Sequence, residues 1–304
     1  PRFGGAAAVW NTSMVFFQAT LLAGYLYAHV SARFLRLRHQ VALHAAVLAA
    51  GLLSLPIGIT LDWVPPPAGG EVLALVRLLA VSVGPAFFAV AATAPLLQQW
   101  FAQTDHPNAH DPYFLYGGSN LGSMVALLSY PVLIEPRLGA GGQSAAWAAG
   151  YALLAGIILL CAATIWSRSD RQQVQPTTRA DKLSLGVRLR WLLLSLVPSA
   201  LLIGTTLRVG SEIAAVPFLW VMPLALYLLS FILVFARRPW LSHAWMLRAQ
   251  VAIVAALAGF YIIPQLYLLL GLSMAGLFVT AMVCHGEMAR LRPSAARLTE
   301  FYLW

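Results

Sequence analysis

The sequence contains few charged residues: Asp, Glu, Lys and Arg together make up 10% of its 304 residues. Soluble globular domains carry about 25%, so the composition excludes an ordinary soluble domain. Hydrophobic residues account for 60% of the chain, and the mean hydropathy is +0.77. These values predict an integral membrane protein whose main partner is the lipid bilayer.

Cysteine and acidic residues are also scarce. Cys161 and Cys284 are the only two cysteines, and both lie in apolar runs, which excludes a disulfide framework or a cysteine-rich metal site. Because only ten residues are acidic, the net charge is +9. The Lys and Arg residues concentrate in alternate loops, which is typical of membrane orientation and argues against nucleic-acid binding. We therefore expect the basic loops in the cytoplasm.

Nine apolar segments are long enough to cross a bilayer, which takes about 20 residues. They predict an all-α, polytopic transmembrane helix bundle of about nine spans, with the start of a tenth near Thr299. Pro85 and Pro95 are expected to kink the third segment. The nine segments are residues 5–30, 41–61, 72–100, 111–136, 145–166, 191–207, 213–236, 244–263 and 265–284. Several tryptophans near the segment ends predict an interfacial aromatic belt: Trp63, Trp100, Trp147, Trp166, Trp191 and Trp240.

Residues 167–190 form the longest hydrophilic stretch and are rich in arginine. They predict a basic cytoplasmic linker between a first transmembrane half, residues 1–166, and a second half, residues 191–304. The sequence begins at Pro1 and stops at Trp304 within a new apolar run, so we expect a slice of a longer polypeptide, truncated at both ends.

The segment Asp111–Pro136 is expected to be the central, buried helix. Gly118 with Gly122 and Ser119 with Ser123 form small-xxx-small pairs, which allow two helix backbones to approach closely in lipid.

Five sequence motifs, in this order along the chain, resemble the membrane part of bacterial spermidine-synthase-like membrane proteins, described as major-facilitator-like transporters fused to a spermidine synthase domain. The motifs are GGAAAVWNTSMVFFQATLLAGYLYAH (4–29), APLLQQWF (94–101), DPYFLYGGSNLGS (111–123), CHGEMARLRP (284–293) and LTEFYLW (298–304). The resemblance implies the bacterial inner membrane and, in the parent protein, a C-terminal soluble aminopropyltransferase-like domain.

Three functions follow as expectations. The first is a membrane domain that handles or positions a small cationic metabolite, such as a polyamine, for a cytoplasmic domain. The second is a non-catalytic structural subunit of a larger membrane complex, with further membrane subunits as partners. The third is a membrane-bound aminopropyltransferase whose catalytic domain lies outside these residues. The slice itself is expected to hold no catalytic residue.

Polar residues within or beside the apolar segments are candidates for a substrate cavity, because polar groups in lipid are costly unless paired. Asn120 is expected either to tie two helices together or to contact substrate. Asn11 and Gln18 lie seven residues apart and share a face that either lines a cavity or ties helices. The remaining cavity candidates are Gln98, Asp111, Tyr113, Tyr116 and Ser119.

The loop from residue 102 to 111 contains Asp105, His106, His110 and Asp111 but no Lys or Arg. Two carboxylates would attract a cation such as a polyamine; the alternative is a solvated turn with Asp111 as helix cap. Pro107 argues against one helix presenting both histidines to a metal, and no metal site is predicted.

Two charged groupings complete the set. Arg208 and Glu212 lie four residues apart and are expected to form an ion pair. His285 and Glu287 are candidates for a proton relay if Gly286 breaks the helix; alternatively, Glu287 pairs with Arg290 or Arg292. No cofactor is predicted; haem ligation by His29 or His44 stays open, although neither has an obvious opposing histidine.

Overall fold

A computed structural model describes residues 7–58, 70–166, 183–212, 217–236, 240–260 and 266–304. Within these ranges the chain forms eleven α-helices and no strand, so the all-α prediction is confirmed. The helices are α1 (Ala7–Phe34), α2 (Leu37–Leu53), α3 (Glu71–Ser82), α4 (Gly84–Phe101), α5 (Phe114–Ser129), α6 (Ala140–Trp166), α7 (Leu185–Glu212), α8 (Pro217–Val234), α9 (His243–Phe260), α10 (Leu266–Arg290) and α11 (Leu298–Leu303).

Fewer helices qualify as membrane spans than the sequence analysis predicted. In the described ranges four stretches are long and apolar enough, namely Phe114–Ile134, Ala140–Trp166, Leu185–Gly210 and Tyr267–Arg290. The pair α3 and α4 adds a fifth if it is counted as one bent span. The prediction of nine spans is not supported, because α2 and the apolar parts of α8 and α9 have fewer than 18 residues. Helix α1 is long enough, but polar residues such as Gln18 and His29 lower its hydropathy.

The kink predicted at Pro85 is present. Helix α3 ends at Ser82, and α4 starts at Gly84 with a proline in its first turn. The two axes differ by 64°. Proline lacks the backbone N–H that would continue the hydrogen-bond ladder, so a new helix begins there. Pro95 lies inside α4, which continues to Phe101.

The first compact unit comprises Pro1–His110, Leu138–Arg179 and Ala295–Leu303, and therefore holds α1 to α4, α6 and α11. Helix α1 approaches α4 so closely that a Cβ added at Gly24 would lie 2.9 Å from the Cβ of Ala91. Small residues on α4 allow this packing. The buried core of the unit includes Ala28, Leu48, Ala89, Ala92, Leu96, Trp100, Tyr151 and Ile158.

The second compact unit comprises Asp111–Arg137, Ala180–Ser294 and Trp304, and holds α5 and α7 to α10. Its helix contacts are α5 with α8, α10 with α7, α8 and α9, and α7 with α8. The two units interleave along the chain, whereas the predicted halves are continuous, because α5 packs on α8. Residues 167–182 of the predicted linker lie outside the described residues, and its last six residues belong to α7.

The prediction of a buried central helix at Asp111–Pro136 is wrong with respect to burial. Only Gly117 is buried in α5, and 6% of the residues in the apolar window of Phe114–Ile134 are buried. Gly117 faces the backbone of Phe235, which follows α8. A Cβ added at Gly117 would lie 3.5 Å from the Phe235 carbonyl group. Gly118 and Gly122 have no atom within 4 Å of an added Cβ, so the small-residue face points away from the helix that α5 contacts. A five-residue π-helix, Tyr130–Ile134, extends α5.

The tryptophans expected in an aromatic belt differ in exposure, and the belt itself stays a prediction. Trp147, Trp166 and Trp240 are exposed, whereas Trp100 and Trp191 are 1% exposed. The buried indoles donate to Gln40 Oε1 at 3.0 Å and to the Leu291 carbonyl at 3.1 Å. Trp63 lies outside the described residues.

Candidate functional site

Asp111 and Tyr113 contact the segment that follows α10, within the second compact unit. Arg292 Nη2 donates to Asp111 Oδ2 at 2.8 Å, and its guanidinium lies 5.5 Å from the centroid of the Tyr113 ring. Tyr113 Oη donates to the Pro293 carbonyl at 3.0 Å. Burial raises the pKa of Tyr113, so its hydroxyl keeps the proton that it donates. Asp111 is therefore neutralised by an arginine and is not a helix cap; α5 begins after Tyr113 without a side-chain cap.

Asp105 lies at a pocket in the first compact unit. The pocket has a volume of about 630 Å³ and lies between the loop that follows α4 and the end of α6. Its lining consists of Phe101, Thr104, Asp105, His106, Pro107, Thr164 and Ile165. The rings of Phe101 and His106 are 5.2 Å apart. One carboxylate, a hydroxyl and an aromatic face are groups that recognise an organic cation.

The structure places the two carboxylates of the 102–111 loop in different surroundings. Asp105 belongs to the first compact unit and lines the pocket, whereas Asp111 belongs to the second unit and pairs with Arg292. His110 donates from Nδ1 to the Pro107 carbonyl at 2.8 Å. Asp105 is thus the acidic group of this loop that lines a pocket. Across the described ranges, no group of three His, Cys, Asp or Glu side chains is placed to hold a metal ion.

Gln98 is 3% exposed and connects α4 to α11, since its Nε2 donates to the hydroxyl of Tyr302. Its Oε1 is buried without a hydrogen-bond partner. Nearby in the same unit, the ring Nδ1 of His29 lies 3.1 Å from Thr299 Oγ1. Gln98 is therefore a helix-to-helix contact with one acceptor available to water or a polar ligand.

A buried polar cluster of Tyr27, His44 and Thr93 was not predicted. Thr93 Oγ1 donates to the Ala89 carbonyl at 2.8 Å and lies 3.4 Å from His44 Nε2. The ring of Tyr27 stacks on that of His44 with centroids 6.1 Å apart. Tyr27 Oη and His44 Nδ1 are buried and have no protein partner. Buried polar atoms of this kind are normally satisfied by water or by a ligand. The three residues come from three helices, so no sequence spacing indicates the cluster.

Three of the cavity candidates on α1 and α5 are exposed, and two are partly buried. Asn11 and Gln18 are both exposed, and so is Ser119. Asn120 Nδ2 donates to the Tyr116 carbonyl of its own helix at 2.8 Å, so it does not tie two helices together. The Tyr116 ring packs edge-on against Phe231 and Phe235, at 5.1 Å from each, and so fixes α5 to α8. A role for these five residues in binding substrate stays a prediction.

His285 is fully buried between α10 and α8. Its Nδ1 lies 2.8 Å from Ser230 Oγ, and Ser230 donates to the Tyr227 carbonyl at 2.6 Å. The ring stacks on Phe231 at 3.6 Å, and Nε2 has no partner. When Ser230 gives its proton to the carbonyl, His285 donates from Nδ1 and carries a lone pair on Nε2.

Glu287 lies in a separate cluster with two arginines and a histidine. Its carboxylate lies 3.4 Å from Arg190, 3.3 Å from Arg290 and 2.8 Å from His243 Nε2, the last at an angle unsuited to a hydrogen bond. The expected pairing with Arg290 is present. Helix α10 runs through Gly286 to Arg290, so the glycine does not break the helix. His285 and Glu287 therefore contact different groups, and the structure does not join them into a relay.

Gly286 is the residue that lets His243 approach Glu287. A Cβ added there would lie 2.5 Å from His243 Nδ1 and 3.0 Å from its Cε1. We expect Gly286→Ala to displace the imidazole and to lower the free energy of unfolding by about 1–3 kcal/mol, the usual cost of overpacking. Gly271→Ala is the matched control on the same helix, because nothing lies within 4 Å of its added Cβ. Thermal unfolding in detergent compares the two; equal midpoints would contradict the prediction.

The predicted ion pair of Arg208 and Glu212 cannot be described, because the side chain of Glu212 lies outside the described residues. Arg208 is half-buried and lines a second cavity, of about 470 Å³, in the second compact unit. The sequence analysis did not predict that cavity, since its lining comes from α7, α9 and α10.

Comparisons with protein-family models, with curated proteins and with solved structures gave no match to this chain. The candidate sites therefore stand on their geometry alone.

Proposed function

We propose that the chain is the membrane domain of a spermidine-synthase-like protein of the bacterial inner membrane, and that it binds a small cationic metabolite such as a polyamine on its cytoplasmic side. The observation that supports this proposal is the Asp105 pocket. Its volume of about 630 Å³ is within the usual range for small-molecule sites, about 300–1,000 Å³. The substrate class, a polyamine, comes from the resemblance of the five sequence motifs to spermidine-synthase-like membrane proteins.

The chemistry of the pocket favours a cation over an anion. No Lys or Arg is among the lining residues that the structure describes, although the chain as a whole carries a net charge of +9. The Asp105 carboxylate can accept hydrogen bonds from an ammonium group, and the Phe101 ring offers its negative face. A polyamine carries several ammonium groups on a flexible apolar chain, which suits a pocket that is polar at one point and apolar elsewhere.

The test is spermidine binding to the purified protein in nanodiscs by isothermal titration calorimetry. We expect Asp105→Asn to weaken binding by about tenfold or more, because a hydrogen bond to a charged group contributes about 1.5–3 kcal/mol. Glu71→Gln is the control, since it removes the same charge from the first turn of α3. Raising the salt concentration should weaken wild-type binding more than binding by the Asp105 variant. Equal affinities for the wild type and Asp105→Asn would contradict the proposal.

The alternative, a structural subunit of a larger membrane complex, is favoured by the exposed face of α5 that carries Gly118 and Gly122. Gly118 and Gly122 have open space around them, and Val125 and Leu121 beside them are 59% and 47% exposed. A face of small residues is suited to close packing against another transmembrane helix. Failure of the wild-type protein to bind spermidine at millimolar concentration would favour this alternative over the polyamine proposal.

A further inference from the structure

The cavity in the second compact unit is a groove between α7, α9 and α10 with one charged end. It has a volume of about 470 Å³, and Arg208 is among its lining residues. On α7 the lining runs from Val197 to Arg208. At a rise of about 1.5 Å per residue this is a length of about 16 Å. Half of a bilayer's hydrocarbon core is about 15 Å thick, so the groove has the length of one lipid leaflet.

The hydroxyls of Thr280 and Ser273, two of the polar groups along the groove, both donate hydrogen bonds within the protein. Thr280 Oγ1 donates to Gln250 Oε1 at 3.0 Å, joining α10 to α9. Ser273 Oγ donates to the Leu269 carbonyl of its own helix at 2.8 Å. The groove therefore presents mainly apolar surface below its charged end, with Gly204 leaving open space in the α7 wall.

Arg208 lies near the end of a candidate span, Leu185–Gly210. An arginine inside a span is costly and usually faces a polar partner or a functional site. Its guanidinium carries several N–H donors in a planar fork, which can hold a phosphate together with a protein acceptor. We propose that the groove binds one phospholipid, with an acyl chain along α7, α9 and α10 and the phosphate at Arg208.

The choice of a phospholipid follows from charge and shape together. A free phosphate would use the guanidinium but leave the long apolar groove empty. The Arg208 guanidinium has donors and no acceptor for an ammonium group, so this groove differs from the Asp105 pocket in its chemistry. An amphipathic anion with an apolar chain fits the groove, since its charge can meet Arg208 and its chain can lie along the apolar surface.

Two variants with matched controls distinguish lipid binding in the groove from lipid binding elsewhere on the protein surface. Gly204→Leu places a side chain in the groove without contacting protein atoms near the backbone, and Gly271→Leu is its control at an open position on α10 outside the lining. Arg208→Gln removes the charge of the groove. Arg137→Gln is its control, since Arg137 is exposed and donates to carbonyls of residues 132 and 133. Size-exclusion profiles and helix content must match the wild type for each variant.

The measurement is native mass spectrometry of the delipidated protein titrated with phosphatidylglycerol, with diacylglycerol of the same chains and inorganic phosphate as further arms. We expect one tightly bound phosphatidylglycerol per chain, loss of that lipid in Gly204→Leu, and about tenfold weaker binding in Arg208→Gln. Diacylglycerol should bind weakly and equally to the wild type and Arg208→Gln. Equal retention by the Gly204 and Gly271 variants, or displacement of the lipid by millimolar phosphate, would overturn the proposal. Neither result bears on spermidine binding, so the two proposals fail independently.

Discussion

Replacing Trp100 by alanine is expected to lower the free energy of unfolding by about 3–5 kcal/mol, the usual cost of removing a buried aromatic side chain from a packed core. Trp100 is 1% exposed and belongs to the core of the first compact unit. Its indole N–H also donates to Gln40 Oε1 at 3.0 Å, and Gln40 in turn donates to the Leu35 carbonyl at 2.9 Å. Chemical unfolding in detergent, followed by circular dichroism, measures the change.

The control for Trp100 is Trp240→Ala, because Trp240 is 82% exposed. We expect that change to alter the stability by no more than about 0.5 kcal/mol. Trp100→Phe separates packing from hydrogen bonding, since phenylalanine keeps most of the apolar contact and leaves Gln40 Oε1 without its donor. A loss of about 1–3 kcal/mol in that variant is expected from the unpaired buried acceptor. Similar stabilities for the Trp100 and Trp240 alanine variants would contradict the packing described here.

Gly51→Ala is also expected to lower the stability of the protein. Gly51 lies on α2 where α6 and α4 meet it, and an added Cβ would collide with the hydroxyl of Tyr151 and lie 2.7 Å from its Cζ. The Cα of Ala86 would be 3.1 Å away on the other side. The methyl group would also displace the Tyr151 hydroxyl from the Leu48 carbonyl, to which it donates at 3.1 Å. Overpacking of this kind lowers the free energy of unfolding by about 1–3 kcal/mol.

Gly156→Ala on α6 is the matched control, because nothing lies within 4 Å of its added Cβ. Alanine there should be neutral or stabilising by up to about 1 kcal/mol, since it restricts the unfolded chain and favours helix. Adding Tyr151→Phe to Gly51→Ala removes the colliding oxygen and should recover part of the loss. A thermal midpoint for Gly51→Ala equal to that of Gly156→Ala would show that α2 and α6 do not approach each other as described.

The helices were predictable because local physical chemistry determines them. Apolar runs bounded by proline, glycine and arginine mark the helices, and Pro85 correctly predicted the break between α3 and α4. The number of spans was not predictable in the same way. Counting apolar runs treats α2, which has 17 residues, as the equal of α6, which has 27. Length and hydropathy together separate the two.

Burial could not be read from the same patterns. The glycines and serines around Asn120 predict a face that can pack closely, but they do not say which helix packs there. The tryptophans show the same limit: Trp100 and Trp166 both end apolar runs, yet one is buried and the other is 42% exposed. Which side of a helix meets protein depends on contacts between residues far apart in the chain.

The candidate sites differ in how much of each could be predicted. The acidic loop around Asp105 was recognisable from its lack of Lys and Arg, but the pairing of Asp111 with Arg292 joins residues 181 positions apart. The cluster of Tyr27, His44 and Thr93 and the groove at Arg208 are each built from three helices. Neither leaves a local signal, since their residues look like single polar interruptions of apolar runs.

The packing of α5 on α8 has a consequence for biosynthesis. Helix α5 ends at Ser129 and α8 begins at Pro217, roughly 90 residues later. At a translation rate of about 5–20 residues per second, α5 leaves the ribosome about 5–20 s before its partner. During that interval the nascent α5 must be held by lipid or by the insertion machinery. A ribosome stalled between these helices would therefore carry an inserted α5 that has yet to meet the helix on which it packs.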